Sequence, residues 1–153
     1  MNEGAQDSSV QRRLIDSLYV EAMVLADDAR SYFDDSGREE RDGLTPMARV
    51  TFSCESLKVT TRLMHVIAWL LTQRAVLAGE LGASEALHPS RRLGEAPFTE
   101  PAVVTELPLR AQRLVAATTE LHRRVARLDA AQVAGAPAGS PARQMFDRLA
   151  LSF

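Results

Sequence analysis

The chain holds one cysteine, one lysine, one tryptophan and few aromatic residues of any kind (5%). A lone Cys54 excludes an internal disulfide and suits a reducing cytoplasm. Within an apolar helical seam it reads as a small buried residue. The N-terminal run MNEGAQDSSV has no basic-then-apolar signal pattern, so the expected location is cytoplasmic. The most apolar stretch, Leu63 to Leu81, is interrupted by His65, Gln73, Arg74 and Glu80 and reads as a core helix, not a membrane span. The histidines His65, His88 and His122 fall on different elements, without the spacing that puts two on one helix face, so no metal site is expected. Gly79, Gly82 and Gly94 are isolated and form no phosphate-cradling loop. No serine or histidine pattern suggests a nucleophile. The neighbouring carboxylates Asp27-Asp28, Asp34-Asp35 and Glu39-Glu40 point apart on a helix or simply solvate a surface. The chain therefore reads as a non-enzyme without a cofactor.

What is present is helix-forming. The 153 residues are 46% apolar and 25% charged, the balance of one soluble domain with tails. Ala, Leu and Arg dominate, and all three favour helix. The net charge of −2 is unevenly spread. Residues 1–44 carry 5 Arg against 11 acidic residues, whereas residues 45–153 carry a net +4. Such polarity can steer partners or help copies dock.

The segment Thr45 to Leu81 organises the reading. One apolar seam runs Met47, Val50, Cys54, Leu57, Thr61, Met64, Ala68, Leu71, Ala75, Ala78 in 3-4 spacing. A second runs Val59, Leu63, Val66, Leu70, Leu77, Leu81. A helix with two seams is packed on two sides. At about 1.5 Å per residue it would span roughly 50 Å. Thr45 can cap its start and Pro46 suits its first position. Between the seams lies a stripe of Glu55, Lys58, Arg62, His65, Trp69 and Thr72. Trp and Arg are the residue types that anchor interfaces, so Arg62, His65 and Trp69 are candidate partner contacts.

A first helix is expected over 10–33 after a polar tail 1–9, stopped by Asp34, Asp35, Ser36 and Gly37. A third is expected over 108–128, with a seam of Ala111, Leu114, Thr118, Leu121, Val125, Leu128 and a basic face of Arg110, Arg113, Arg123, Arg124, Arg127. The connection 82–106 is long and carries Arg91 and Arg92, further candidate contacts; a spacer joining distant ends and a functional loop both fit it. Residues 130–153 read as an Ala/Gly/Pro linker with a short amphipathic end, where Met145, Phe146, Leu149 and Phe153 form a candidate docking face.

The expected fold is all-α: an up-down-up antiparallel three-helix bundle with a long central second helix and a flexible C-terminal tail. The first and third helices would each cover one seam of the second. Its surplus apolar surface predicts a homodimer through Ile67, Leu70 and Leu77. The basic face of the third helix could touch nucleic acid, but the overall acidity and single lysine argue against it. An alternative is a small-molecule sensor with a pocket lined by Tyr19, Met23 and Met64.

The run CESLKVTTRLMHVIAWLLTQRAV, Cys54 to Val76, resembles the central helix of the RcdA family, regulators of CtrA degradation. ELHRRVARLD, Glu120 to Asp129, and more loosely SRRLG, Ser90 to Gly94, resemble further segments of that family. The resemblance spans most of residues 10–129. It implies a dimeric three-helix bundle with no enzymatic activity. It also implies an adaptor that, with ClpX or a response-regulator partner, helps bring cell-cycle cargo to the ClpXP protease. No catalytic or cofactor residue is implied.

Overall fold

The computed structural model describes residues 2–135 and residue 149, and every regular element among them is helical. Three long helices, α1 (Glu3–Ser31), α3 (Pro46–Leu77) and α6 (Leu109–Ala134), dominate. Three short ones, α2 (Arg38–Asp42), α4 (Ala83–Ala86) and α5 (Pro101–Val104), lie in the connections. The first helix begins at Glu3, inside the stretch expected to be a tail.

Local chemistry sets the boundaries. The hydroxyl of Thr45 accepts from Ala48 N–H at 3.3 Å, and Pro46 opens α3. At the end of α1 the backbone widens into a π-type turn, Tyr32–Ser36. Gly37 N–H closes that turn on the Tyr32 carbonyl at 2.7 Å. A Cβ at Gly37 would stand 2.6 Å from that carbonyl oxygen and 2.9 Å from the tyrosine ring, so only glycine fits. The buried Tyr32 ring meets Phe33 and Phe52 edge-on, with centroids at 5.1 and 6.0 Å. Its hydroxyl donates to Glu40 at 2.5 Å. Burial first, and then Glu40, push that hydroxyl's pKa well above the usual tyrosine value.

Cross-helix contacts fix the directions. Near the start of α1, Arg12 donates to the Leu77 carbonyl at the end of α3 (3.1 Å), and Asp16 lies 3.6 Å from Arg74. At the other end Phe33 meets Phe52. The helices α1 and α3 are therefore antiparallel. Glu21 pairs with Arg124 and Ser36 with Arg110, so α1 and α6 are antiparallel too. It follows that α6 runs parallel to α3, as Trp69–Asp129 and Gln73–Gln132 show at their shared end. This corrects the up-down-up expectation. The third helix repeats the direction of the second, and the chain must first travel back along the molecule. That return explains the length of the connection after α3, as the spacer reading anticipated.

The core draws Ile15, Leu18, Ala22 and Ala29 from α1, and Leu114, Val115, Leu121 and Val125 from α6. From α3 it takes Phe52 and, from the second seam, Val59, Leu63, Val66 and Leu70. The first seam is not in it. Met47, Val50, Leu57, Met64 and Leu71 are exposed, and so is Cys54, contrary to its expected burial. Both neighbouring helices pack on the same side of α3, instead of one on each seam.

Candidate interaction surfaces

The polar stripe of α3 is covered by the returning connection. Between Arg92 and Glu100 this segment carries no helix and lies along α3 as a strap. Its carbonyls are gripped in turn. His122 Nε2 meets the Gly94 carbonyl at 2.8 Å and His65 Nδ1 meets that of Glu95 at 2.9 Å. A carbonyl offers no proton, so each ring nitrogen must be the donor. Arg62 Nη2 donates to the Pro97 carbonyl and Lys58 Nζ to that of Phe98, both at 2.9 Å. The Thr99 hydroxyl accepts from Arg62 at 2.7 Å and donates to Glu55 at 2.6 Å. Lys58 also pairs with Glu55 at 3.0 Å. A strap packed along a helix must satisfy the backbone polar groups that it turns inward, and these side chains supply the partners.

Arg62 is 1% exposed, and its Nε and Nη1 have no hydrogen-bond partner among the described residues. Burial pulls its pKa down, while the Glu55 charge opposes that shift. Gly94 lies so close to His65 that a Cβ there would stand 2.6 Å from Nδ1.

At the far end, Asp129 of α6 accepts from Trp69 Nε1 at 3.0 Å and from Arg92 through bonds of 2.8 to 3.1 Å. Burial would raise the Asp129 pKa, but the bonds from Arg92 and Trp69 and the Arg92 charge outweigh it. The carboxyl is held below the usual range. One carboxylate thereby ties α3, α6 and the root of the strap.

The structure thus places Arg62 and His65 against the strap, and it joins Trp69 to Arg92, at the root of the strap, through Asp129; the α3 residues Arg62, His65 and Trp69 are thereby covered. Trp69 is 2% exposed, so the expectation that it and Arg62 present an open patch is corrected. The sequence places them on one stripe, and the strap that covers them comes from 30 or more residues away. Arg91 is exposed. Leu149 is helical and half exposed; Met145, Phe146 and Phe153 lie outside the described residues. Among the expected dimer contacts, Leu70 is fully buried, and Ile67 and Leu77 are partly buried against the core. The uncovered side of α3 is instead the first seam: Met47, Val50, Cys54, Leu57, Met64 and Leu71, with Ala68 between. At 100° per residue this face is opposite the core-facing one.

The family described as "Protein of unknown function (DUF1465)" matches residues 6–153. The crystal structure of RcdA from Caulobacter crescentus CB15 is 32% identical, with a TM-score of 0.64 over 78% of this chain and 90% of that one. The chain belongs to the RcdA family. No curated protein matches it.

Other expectations resolve around this RcdA-family scaffold. Most of the basic face of α6 is engaged within the chain. Arg124 pairs with Glu21, Arg123 and Arg127 lie against Glu120, and Arg110 covers the Tyr32 ring at 5.0 Å. The proposed sensor pocket does not form from its named residues. Tyr19 and Met23 line an open groove of about 300 Å³ on α1, while Met64 is exposed on α3. No described helix is long and apolar enough to cross a membrane. Among the described residues no cluster of three or more His, Cys, Asp or Glu could hold a metal.

Proposed function

We propose that this chain is a non-catalytic protein–protein interaction protein, an adaptor of the RcdA type that helps deliver cell-cycle regulators to the ClpXP protease. It would work in the cytoplasm as a homodimer of three-helix bundles, with ClpX or a response-regulator adaptor and cargo as its partners. Membership of the RcdA family supports the class. The observation that carries the reading is the exposed apolar face of α3. Met47, Val50, Leu57, Met64 and Leu71 keep a helical 3-4 register on the side away from the core. A contiguous exposed apolar stripe on a chain this size marks a contact surface. A single straight stripe is self-complementary about a two-fold axis, which suits a symmetric dimer. The outer face of α3 serves partners.

The test is capture from native lysate with two baits, the full chain and a version ending at Gln132. Recovery of ClpX or a single-domain response regulator by the full chain supports the adaptor. Loss with the shorter bait places a contact beyond Gln132. Self-association with neither protein recovered counts against proteolytic delivery.

A further inference from the structure

Among the described aromatic residues, Tyr19, Tyr32, Phe33, Phe52 and Trp69 are buried or half-buried. Phe98 is 75% exposed. The backbone on which it stands is bonded to α3. Its own carbonyl is held by Lys58 and that of Pro97 by Arg62, each at 2.9 Å. The next side chain, Thr99, is bonded on both sides, to Arg62 and Glu55. Proline in the preceding position fixes its own φ. Three consecutive residues are thus pinned, and the largest apolar side chain among them faces water.

The pinning groups are costly. A buried Arg–Thr–Glu chain is seldom retained for stability, because well-packed apolar residues do at least as well. Apolar replacements would, however, leave the Pro97 carbonyl without its donor. The buried stripe therefore makes sense as a mount for the strap. We propose that the strap is a recognition element that presents Phe98 as a preorganised anchor for a protein partner with an apolar pocket and a basic rim. The rim follows from charge. Glu95 and Glu100 flank Phe98 and are exposed, and the nearby Lys58 is already engaged by Glu55. Prior immobilisation removes much of the ordering cost that an interface anchor normally carries. Aromatic residues at the centre of a contact carry a disproportionate share of its affinity.

This inference deepens the adaptor reading and rests on it. Its test uses the full chain with a benzophenone amino acid in place of exposed Ala96, with and without Phe98→Ala, cross-linked in cells. The captured protein is then purified and titrated against the unlabelled full chain. The expected result is a partner cross-linked only when Phe98 is present and bound about 30-fold more weakly by Phe98→Ala. Glu95→Lys with Glu100→Lys weakens it too, and all variants melt as the parent does. Lys58→Met weakens binding while Lys58→Arg restores it, the mark of a positioning residue. Unchanged cross-links and affinity in Phe98→Ala would overturn the inference, as would a lowered melting temperature or cross-links only to a second copy. If Phe98→Ala still captures the same adaptor partners as the parent, the adaptor reading stands and this inference fails. If the parent captures none, this inference fails, while the adaptor reading is decided separately by the capture with the two baits.

Discussion

Trp69 Nε1 donates to Asp129 Oδ1 at 3.0 Å, and the two side chains join α3 to α6 at the end where both helices finish. The bond fixes the parallel arrangement of the two helices. It also turns Trp69 from a surface anchor into a core residue. Trp69→Ala removes a buried ring and leaves Asp129 short of a donor. The expected loss is about 4 kcal/mol. Urea unfolding followed by circular dichroism will measure it.

Asp129 itself makes stability depend on pH. Its carboxyl is depressed in the folded chain, so the folded state favours the ionised form. That contribution is fully present above the unfolded carboxylate pKa, about 4. It is lost as the pH falls through the folded value. Asp129→Asn should therefore lower stability at neutral pH and flatten the acid limb below about pH 4. Denaturation curves from pH 7 to pH 2.5 in both chains check the sign.

Gly94 and His65 form a coupled pair. Gly94→Ala drives a Cβ into the imidazole and should lift the strap from α3. Overpacking of this kind costs about 1–3 kcal/mol. The double variant Gly94→Ala, His65→Ala should recover part of the loss, because the clash is gone although the bond to the Glu95 carbonyl is gone as well. Amide exchange across residues 94–99 in the single and double variants reads the coupling.

Arg62→Ala empties a buried site and strips the donor from the Pro97 carbonyl and the Thr99 hydroxyl. It also leaves the buried Glu55 with Lys58 as its remaining positive partner. Breaking a buried charged network by removing one member costs about 3–5 kcal/mol. Calorimetry should show a lowered melting temperature with little change in helix content before the transition.

Much of this arrangement is legible in the sequence. The register of α3, its Thr45–Pro46 start and the core seam of α6 follow from local spacing and capping. Two apolar seams on α3 announce two packed sides, but spacing cannot rank them. Met47 and Leu57 are as apolar as Val59 and Leu63, and only the tertiary partners decide which set is covered. The polar stripe misleads for a similar reason. Arg62 and Glu55 on a helix read as solvated, yet the strap that buries them is contributed by Pro97 and Thr99, far along the chain. The direction of α6 depends on that same strap, since a long return lets parallel helices follow one another. Tyr32, at the end of α1, is a core residue that the sequence does not mark. The Glu40 carboxylate and Gly37 bury it, and no periodicity signals either.

The outer face of α3 is the centre of the account, and the mass of the full chain in solution tests it most directly. Sedimentation equilibrium on the parent and on the double variant Leu57→Glu, Met64→Glu is the decisive comparison. Both residues are exposed, so the variant should keep the parent's helix content. The expected result is a dimer for the parent and a folded monomer for the variant. A monomeric parent, or a variant that remains dimeric, would contradict it.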